Sequence, residues 1–210
     1  KLVSDLDPMQ ESVANELKKN GFLVETGVKG KISKIRYEID ILAYRDGFLF
    51  IFECKNSYLP ATVHEIRTTY NHIRDAADQL NIRKNLFSNK ENLEKVLKNI
   101  KWETQTVNDL YTGIITANRI FNGFCEQRHP VRQARELINV VRNGKINIRK
   151  RTEEKEILFL DEEKFTIYDL IKYLNGISIV NDQLSSLSER RRNLQFFNKS
   201  VEFNDYVMEK

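Results

Sequence analysis

The chain has 210 residues, of which 40% are hydrophobic and 30% are charged, and its formal net charge is +4 at pH 7. This composition fits a soluble globular protein that is compatible with nucleic acid without requiring it. Two cysteines, Cys54 and Cys125, exclude a disulfide framework, and no stretch approaches the roughly 18 apolar residues of a membrane span. We therefore expect a reducing, cytoplasmic setting and no membrane partner.

The first predicted element is a helix over residues 8–20, with Pro8 in its first turn and Asp7 as its N-cap. Glu16 lies beside the apolar stripe of this helix. A strand is predicted over residues 22–26. The glycines and basic residues of segment 28–36 then predict a hairpin loop that approaches phosphates, with an ordinary solvated loop as the alternative.

The dipeptide Asp46-Gly47 separates two apolar runs, which is a strong signal for a two-residue hairpin turn. Such a turn places Arg45 opposite Phe48. The same register continues along both strands and places Asp40 opposite Glu53.

In that register Lys55 faces Glu38, and alternation puts Asp40, Glu53 and Lys55 on one face with Cys54 on the other. Directly opposed carboxylates destabilise a sheet unless a cation, a proton or a shared water joins them. A divalent metal with oxygen ligands would satisfy both acids, with Lys55 as a nearby donor. A surface cluster of salt bridges is the alternative.

Further along the chain, hydrophobic spacing predicts more helices and two more strands. Helices are expected over 60–87, 90–104, 132–141, 165–174 and 182–199, and strands over 111–117 and 157–160. The expected fold is α/β, with a central mixed sheet flanked by helices. We expect a core over residues 1–142 and a C-terminal α/β extension over residues 143–210 that packs on it.

The residues Ile39-Asp40 and Glu53-Cys54-Lys55 resemble the PD-(D/E)xK nuclease signature, with Ile39 where the family usually has proline. The resemblance covers roughly residues 9 to 125 and is to the Mrr-like and Holliday-resolvase-like branches. It implies a restriction-endonuclease-like fold.

The resemblance implies that Asp40, Glu53 and the Cys54 backbone carbonyl hold Mg²⁺, for which Mn²⁺ substitutes. Lys55 would position the attacking water or neutralise developing charge. By their order along the chain, Glu16 and Gln79 match the helix-borne acid and glutamine of such sites. Each is equally explained as an ordinary helix-surface residue.

The predicted function is metal-dependent endonucleolytic hydrolysis of DNA in restriction, defence or repair. Two alternatives remain: a nucleic-acid-binding module that keeps the fold without turnover, and a protein-interaction domain whose acids and lysine form a structural salt bridge. A homodimer, or a place within a larger protein or complex, is also compatible with a chain that begins at Lys1.

Overall fold

The structure is a computed structural model that describes residues 7–150, 153–158, 165–176, 187–196 and 199–208. The helices are α1 (Pro8–Lys19), α2 (Val63–Ser88), α3 (Lys90–Asn99), α4 (Ala134–Asn143) and α5 (Ile167–Leu174). The strands are β1 (Leu23–Ile32), β2 (Ile35–Arg45), β3 (Phe48–Lys55), β4 (Asp109–Thr116), β5 (Cys125–Glu126), β6 (His129–Gln133), β7 (Lys145–Lys150), β8 (Glu153–Leu158), β9 (Leu187–Phe196) and β10 (Lys199–Met208).

Six strands form one mixed sheet in the order β1-β2-β3-β4-β6-β5. The first three strands are antiparallel, whereas β4 runs parallel to β3 after the α2–α3 crossover, and β6 runs parallel to β4. This confirms the predicted α/β fold with a mixed sheet flanked by helices.

The sheet is covered on both faces, which explains why β3 is almost entirely apolar. One core cluster packs α1, α4 and α5 against side chains such as Phe50 and Phe52. The other packs α2 and α3 against Leu49 and Ile51. Successive residues of β3 therefore face opposite helical layers.

The β2–β3 hairpin has the predicted turn and register. Asp46 and Gly47 both have positive φ, at 51° and 88°, as a type I′ turn requires. Arg45 pairs with Phe48, and regular pairing continues to Ile41 and Phe52. The ladder stops there, so Asp40 and Glu53 lie just beyond its last pair.

Segment 28–36 forms the hairpin that was predicted, but the expected loop is wrong because most of the segment continues the sheet. β1 runs to Ile32 and β2 starts at Ile35, so the turn is confined to Ser33 and Lys34. The two strands pair from Leu23 and Tyr44 at one end to Ile32 and Ile35 beside this turn.

The regular alternation of β2 side chains between the two helical layers is interrupted at Asp40. Ile39 packs in the α2 layer, whereas Ile41 packs in the α1 layer, although strict alternation would put both on one face. Gly27 lies at the matching point of β1 with a φ of 62°, a conformation that glycine reaches without a Cβ clash. Asp40 therefore sits where the strand rotates.

Of the two helices predicted beyond residue 143, one is confirmed and one is wrong. The predicted helix over 165–174 is α5, and Leu170 and Tyr173 are buried in the same cluster as α1 and α4. The helix expected over 182–199 is wrong where the structure describes it, because β9 pairs antiparallel with β10. The strand expected over 157–160 corresponds to the end of β8, and residues 159–160 lie outside the described residues.

Arg132 of β6 joins α5 to the sheet. Its side chain is buried, its Nε donates to the Tyr173 carbonyl at 3.1 Å, and its Nη2 donates to the Leu174 carbonyl at 2.7 Å. These bonds cap the carboxyl end of α5, where a cation is favoured. The α5 helix thus packs on the core. Among the described residues, no helix is both long and apolar enough to cross a membrane.

Candidate functional site

Asp40 is held by backbone contacts where the β2–β3 ladder ends. Its Oδ2 accepts a hydrogen bond from the Cys54 backbone N at 2.6 Å. Its own carbonyl accepts one from the buried Gln10 side chain of α1 at 2.5 Å. Burial raises the pKa of the Asp40 carboxyl, and the nearby charge of Glu53 raises it further.

Glu53 is buried and bonded to two cations. Lys55 Nζ lies 2.8 Å from its Oε1, and Arg83 Nη1 of α2 lies 2.5 Å from its Oε2. A buried carboxylate needs this compensation, because desolvation of an unpaired charge costs several kcal/mol. The structure therefore brings together Asp40, Glu53 and Lys55, as predicted from the hairpin register.

The predicted pairing of Lys55 with Glu38 is wrong. The ladder between β2 and β3 ends before those residues. Glu38 instead pairs with Lys29 of β1, whose Nζ lies 2.9 Å from Glu38 Oε1. The Lys55 ammonium remains with Glu53.

Gln79 reaches the site from α2. Its Oε1 accepts a hydrogen bond from Lys55 Nζ at 3.4 Å. Gln79 and Arg83 are four residues apart, so they lie on one face of the helix and approach the β3 terminus together. Gln79 contacts Lys55 and has no described hydrogen bond to either acid.

Glu16 does not contact the acids, contrary to the expectation from chain order. Its carboxylate pairs with Arg142 of α4, with Oε2 2.5 Å from Nη2. That bond is the main reason why the pKa of Glu16 is lowered from its ordinary value. Glu16 lies nearly two turns further along α1 than Gln10, which is the helix residue that reaches Asp40.

Cys54 directs its backbone toward Asp40 and its side chain toward the α1 layer. Burial raises the pKa of the thiol well above its ordinary value, so this cysteine is a protonated packing residue. In an antiparallel strand the N–H and C=O of one residue point to the same neighbour. The Cys54 carbonyl therefore faces the same side of β3 as Asp40.

A buried histidine anchors α2 to the sheet. His129 of β6 bonds through Nδ1 to the Thr112 hydroxyl at 2.7 Å and through Nε2 to Asn81 Oδ1 at 3.0 Å. Burial lowers its pKa to about 4, so the ring is neutral at pH 7. This network fixes the helix that carries Gln79 and Arg83.

Sequence reasoning missed Gln10 and Arg83, although both left the same signal. Each occupies a position of its helix that apolar neighbours define as buried: Gln10 precedes Val13 by one turn, and Arg83 follows Leu80. A polar residue in an apolar stripe needs a buried partner. In this protein the partners are the Asp40 carbonyl and the Glu53 carboxylate.

The donor set fits a hard divalent cation. Among the described residues no donor bonds to Asp40 Oδ1, and each Glu53 oxygen, although engaged once, retains a further lone pair. The described residues contain no cluster of three or more acids, histidines or cysteines able to hold a metal. Two carboxylates suffice for Mg²⁺, which keeps several waters and completes its shell with substrate phosphates.

A groove of about 460 Å³ opens beside these residues. Gln79 and Arg83 form the wall shared with the site, and Lys29, Arg36 and Glu38 contribute charges from β1 and β2. Cations outnumber acids here, which suits the path of a polyanion.

Comparisons with known proteins add only distant likeness. No family model matches the chain, and no curated protein matches it. One similar solved structure is a protein of unknown function, AF1548, with a TM-score of 0.28, 18% identity, and coverage of 65% of this chain and 55% of that one. Another is an XisH family protein from Nostoc punctiforme, with a TM-score of 0.29, 15% identity, and coverage of 52% of this chain and 70% of that one. The chain thus spans about half the length of the first.

Proposed function

We propose that the protein is a metal-dependent nuclease that hydrolyses DNA phosphodiester bonds. The observation that carries the proposal is the convergence of Asp40, Glu53 and Lys55 at the open end of one hairpin, around the backbone of Cys54. This is the arrangement that the resemblance to PD-(D/E)xK nucleases implies.

The proposed roles follow from the contacts of each side chain. Asp40, Glu53 and the Cys54 carbonyl would hold Mg²⁺ or Mn²⁺, which when bound polarises a phosphate and acidifies a water. Lys55 would orient the attacking water or stabilise negative charge on the phosphate, and Gln79 would hold the Lys55 ammonium in position. Arg83 would hold the Glu53 carboxylate in position.

The basic groove supports nucleic acid as the substrate. Lys29 and Arg36 line it on the strand side, and Gln79 and Arg83 line it from α2. A phosphate backbone lying in this groove would approach Arg83, whose guanidinium pairs with Glu53. Cytoplasmic location, a homodimer and a larger assembly stay predictions from the sequence.

One observation favours a second candidate, a nucleic-acid-binding module without turnover. Both oxygens of Glu53 already bond to cations, so the acid is neutralised without a metal. A site of this kind could keep its basic groove and its fold while binding no divalent ion.

Incubation with linear, nicked, branched and single-stranded DNA in Mg²⁺ or Mn²⁺ separates the two candidates. The proposal predicts cleavage that EDTA abolishes and that Glu53→Gln removes. Glu16→Gln is the matched control, because it also changes a buried glutamate paired with an arginine, yet has no contact with Asp40 or Lys55. Binding without metal-dependent cleavage on any of these substrates would favour the second candidate.

A further inference from the structure

The loop that follows β3 presents an aromatic ring to solvent. Tyr58 is 98% exposed and the adjacent Leu59 is 67% exposed. Only two residues separate Tyr58 from Lys55, so the two Cα atoms are at most about 11 Å apart. A large ring that is almost fully exposed is available to a partner.

The backbone beneath this ring is fixed by one buried side chain. Asn118 Nδ2 donates to the Ser57 carbonyl at 3.3 Å, to the Ser57 hydroxyl at 2.9 Å and to the Tyr58 carbonyl at 3.2 Å. The Asn118 backbone is held in turn, because its carbonyl accepts from the Thr116 hydroxyl at 2.8 Å. Tyr58 is therefore an exposed ring on an anchored loop.

A polar groove of about 950 Å³ runs alongside Tyr58 at the carboxyl ends of β3, β4 and β6. Arg119 and Arg135 line it, and both are exposed. In the part of the chain that the structure describes, neither arginine forms an ion pair. One acid, Glu136, also lines the groove, which thus combines a net positive charge with an aromatic face.

We propose that Tyr58 is a stacking platform for an unpaired nucleobase of the substrate, with Arg119 and Arg135 receiving the phosphates of that strand. Aromatic rings stack on bases only where the base face is free, which in a duplex requires the base to leave its stack. The inference rests on the proposed function and deepens it. It assigns as substrate a nucleic acid with unpaired nucleotides beside the phosphate that is cut.

Binding measured without divalent metal tests this inference separately from cleavage. The probes are a fluorescent single-stranded oligothymidylate and a blunt duplex of equal length, titrated by anisotropy in EDTA. Tyr58→Ala should weaken single-strand binding by about 5-fold to about 150-fold, the range of one base–aromatic stack, and should leave duplex binding unchanged. Tyr58→Trp should retain binding, and its added fluorescence should be quenched by the oligonucleotide.

Tyr168→Ala is the control, because Tyr168 is 62% exposed but packs on Phe48 at the opposite end of β3. It should bind both probes like the wild type. Unchanged single-strand binding by Tyr58→Ala, or equal losses for both probes, would overturn the inference.

Cleavage data keep the two proposals apart. If the wild type cleaves DNA and Tyr58→Ala binds and cleaves normally, the nuclease proposal stands and the stacking inference falls. If single strands bind through Tyr58 without metal-dependent cleavage, the stacking inference stands and the nuclease proposal falls. A wild type that binds neither probe overturns the stacking inference, and cleavage in Mg²⁺ or Mn²⁺ then decides the nuclease proposal by itself.

Discussion

Two buried glutamates pair with arginines on opposite sides of the sheet, and they differ in what surrounds them. Glu16 and Glu53 have equally buried side chains, each 6% exposed. The partner of Glu53, Arg83, is 8% exposed, whereas the partner of Glu16, Arg142, is 52% exposed. Because both glutamates are buried and both pair with an arginine, these two properties do not distinguish them.

The two glutamates differ in the groups that surround them in addition to the arginine. Glu53 also bonds Lys55 and lies close enough to Asp40 to raise the pKa of that carboxyl. Glu16 has an arginine and an asparagine, and its own pKa is lowered. One arrangement joins two helices, and the other collects two acids and a lysine at a strand end. Only the second contains the residue types that the proposed metal-dependent hydrolysis requires.

The largest expected effect is that of Lys55→Ala on cleavage. Removing one positioned donor of this kind typically lowers the rate by about 10²–10³-fold. Circular dichroism should show an unchanged fold, because Arg83 still pairs with Glu53. Arg142→Ala, which breaks the other pair, should cleave DNA at the wild-type rate. Wild-type turnover by Lys55→Ala would remove the lysine from the proposed mechanism.

Arg83→Met and Arg142→Met should destabilise the protein unequally. Losing one partner of a fully buried pair costs about 3–5 kcal/mol, and Lys55, which remains on Glu53, should reduce this to about 2 kcal/mol. Arg142 is half exposed, so its loss should cost clearly less than the loss of Arg83. Urea unfolding measures the free energy of unfolding of both variants. Equal losses would contradict the expectation that the more buried arginine stabilises the protein more.

Asp40→Asn and Glu16→Gln should change the metal-free stability in opposite directions at pH 7. The pKa of Asp40 is raised, so its ionised form opposes folding, and Asp40→Asn should gain up to about 1 kcal/mol. The pKa of Glu16 is lowered, so its ionised form favours folding and Glu16→Gln should lose about as much.

Both differences should vanish in acid, for opposite reasons. Asp40 stops opposing folding as the pH falls through its raised pKa toward its ordinary value of 3.8. Glu16 contributes fully above its ordinary 4.5, and that contribution disappears as the pH falls through its lowered pKa. Thermal unfolding of the variants from pH 7 to pH 3 measures this, and differences of one sign would refute it.

The smallest expected effect concerns the groove on the Glu53 side. Replacing Lys29 and Arg36 with glutamine should flatten the logarithmic salt dependence of DNA binding by about 0.9 for each phosphate that the protein no longer neutralises. Arg142→Gln, on the other side of the sheet, should leave the slope unchanged. Equal slopes for all variants would place the DNA elsewhere.

Local chemistry was sufficient to predict the hairpin that carries the site. Asp46 and Gly47 fix the turn, and the turn fixes the register from Arg45 and Phe48 outward. The change of face at Asp40 was not predictable from alternation, and it lies opposite Gly27 of a different strand, which has a positive φ. The β2–β3 ladder ends at the pair of Ile41 and Phe52, so Lys55 does not face Glu38.

Two further errors came from partners that the local pattern does not identify. Arg142, 126 residues beyond Glu16, bonds that acid on the α4 side. The charged stretch from Leu187 to Phe196 has good helix formers, yet its pairing with Lys199–Met208 makes it a strand. In the second case, pairing with the partner strand outweighs intrinsic helix propensity.

Calorimetric titration of Mn²⁺ into the wild type, Asp40→Asn and Glu16→Gln measures whether Asp40 and Glu53 hold a metal. If Asp40 and Glu53 hold the metal, the wild type and Glu16→Gln should bind it alike, and Asp40→Asn should lose most of the heat. The metal should also raise the melting temperature of the first two proteins, because a ligand bound only by the native state stabilises it. Equal Mn²⁺ binding by the wild type and Asp40→Asn would show that these acids do not form a metal site.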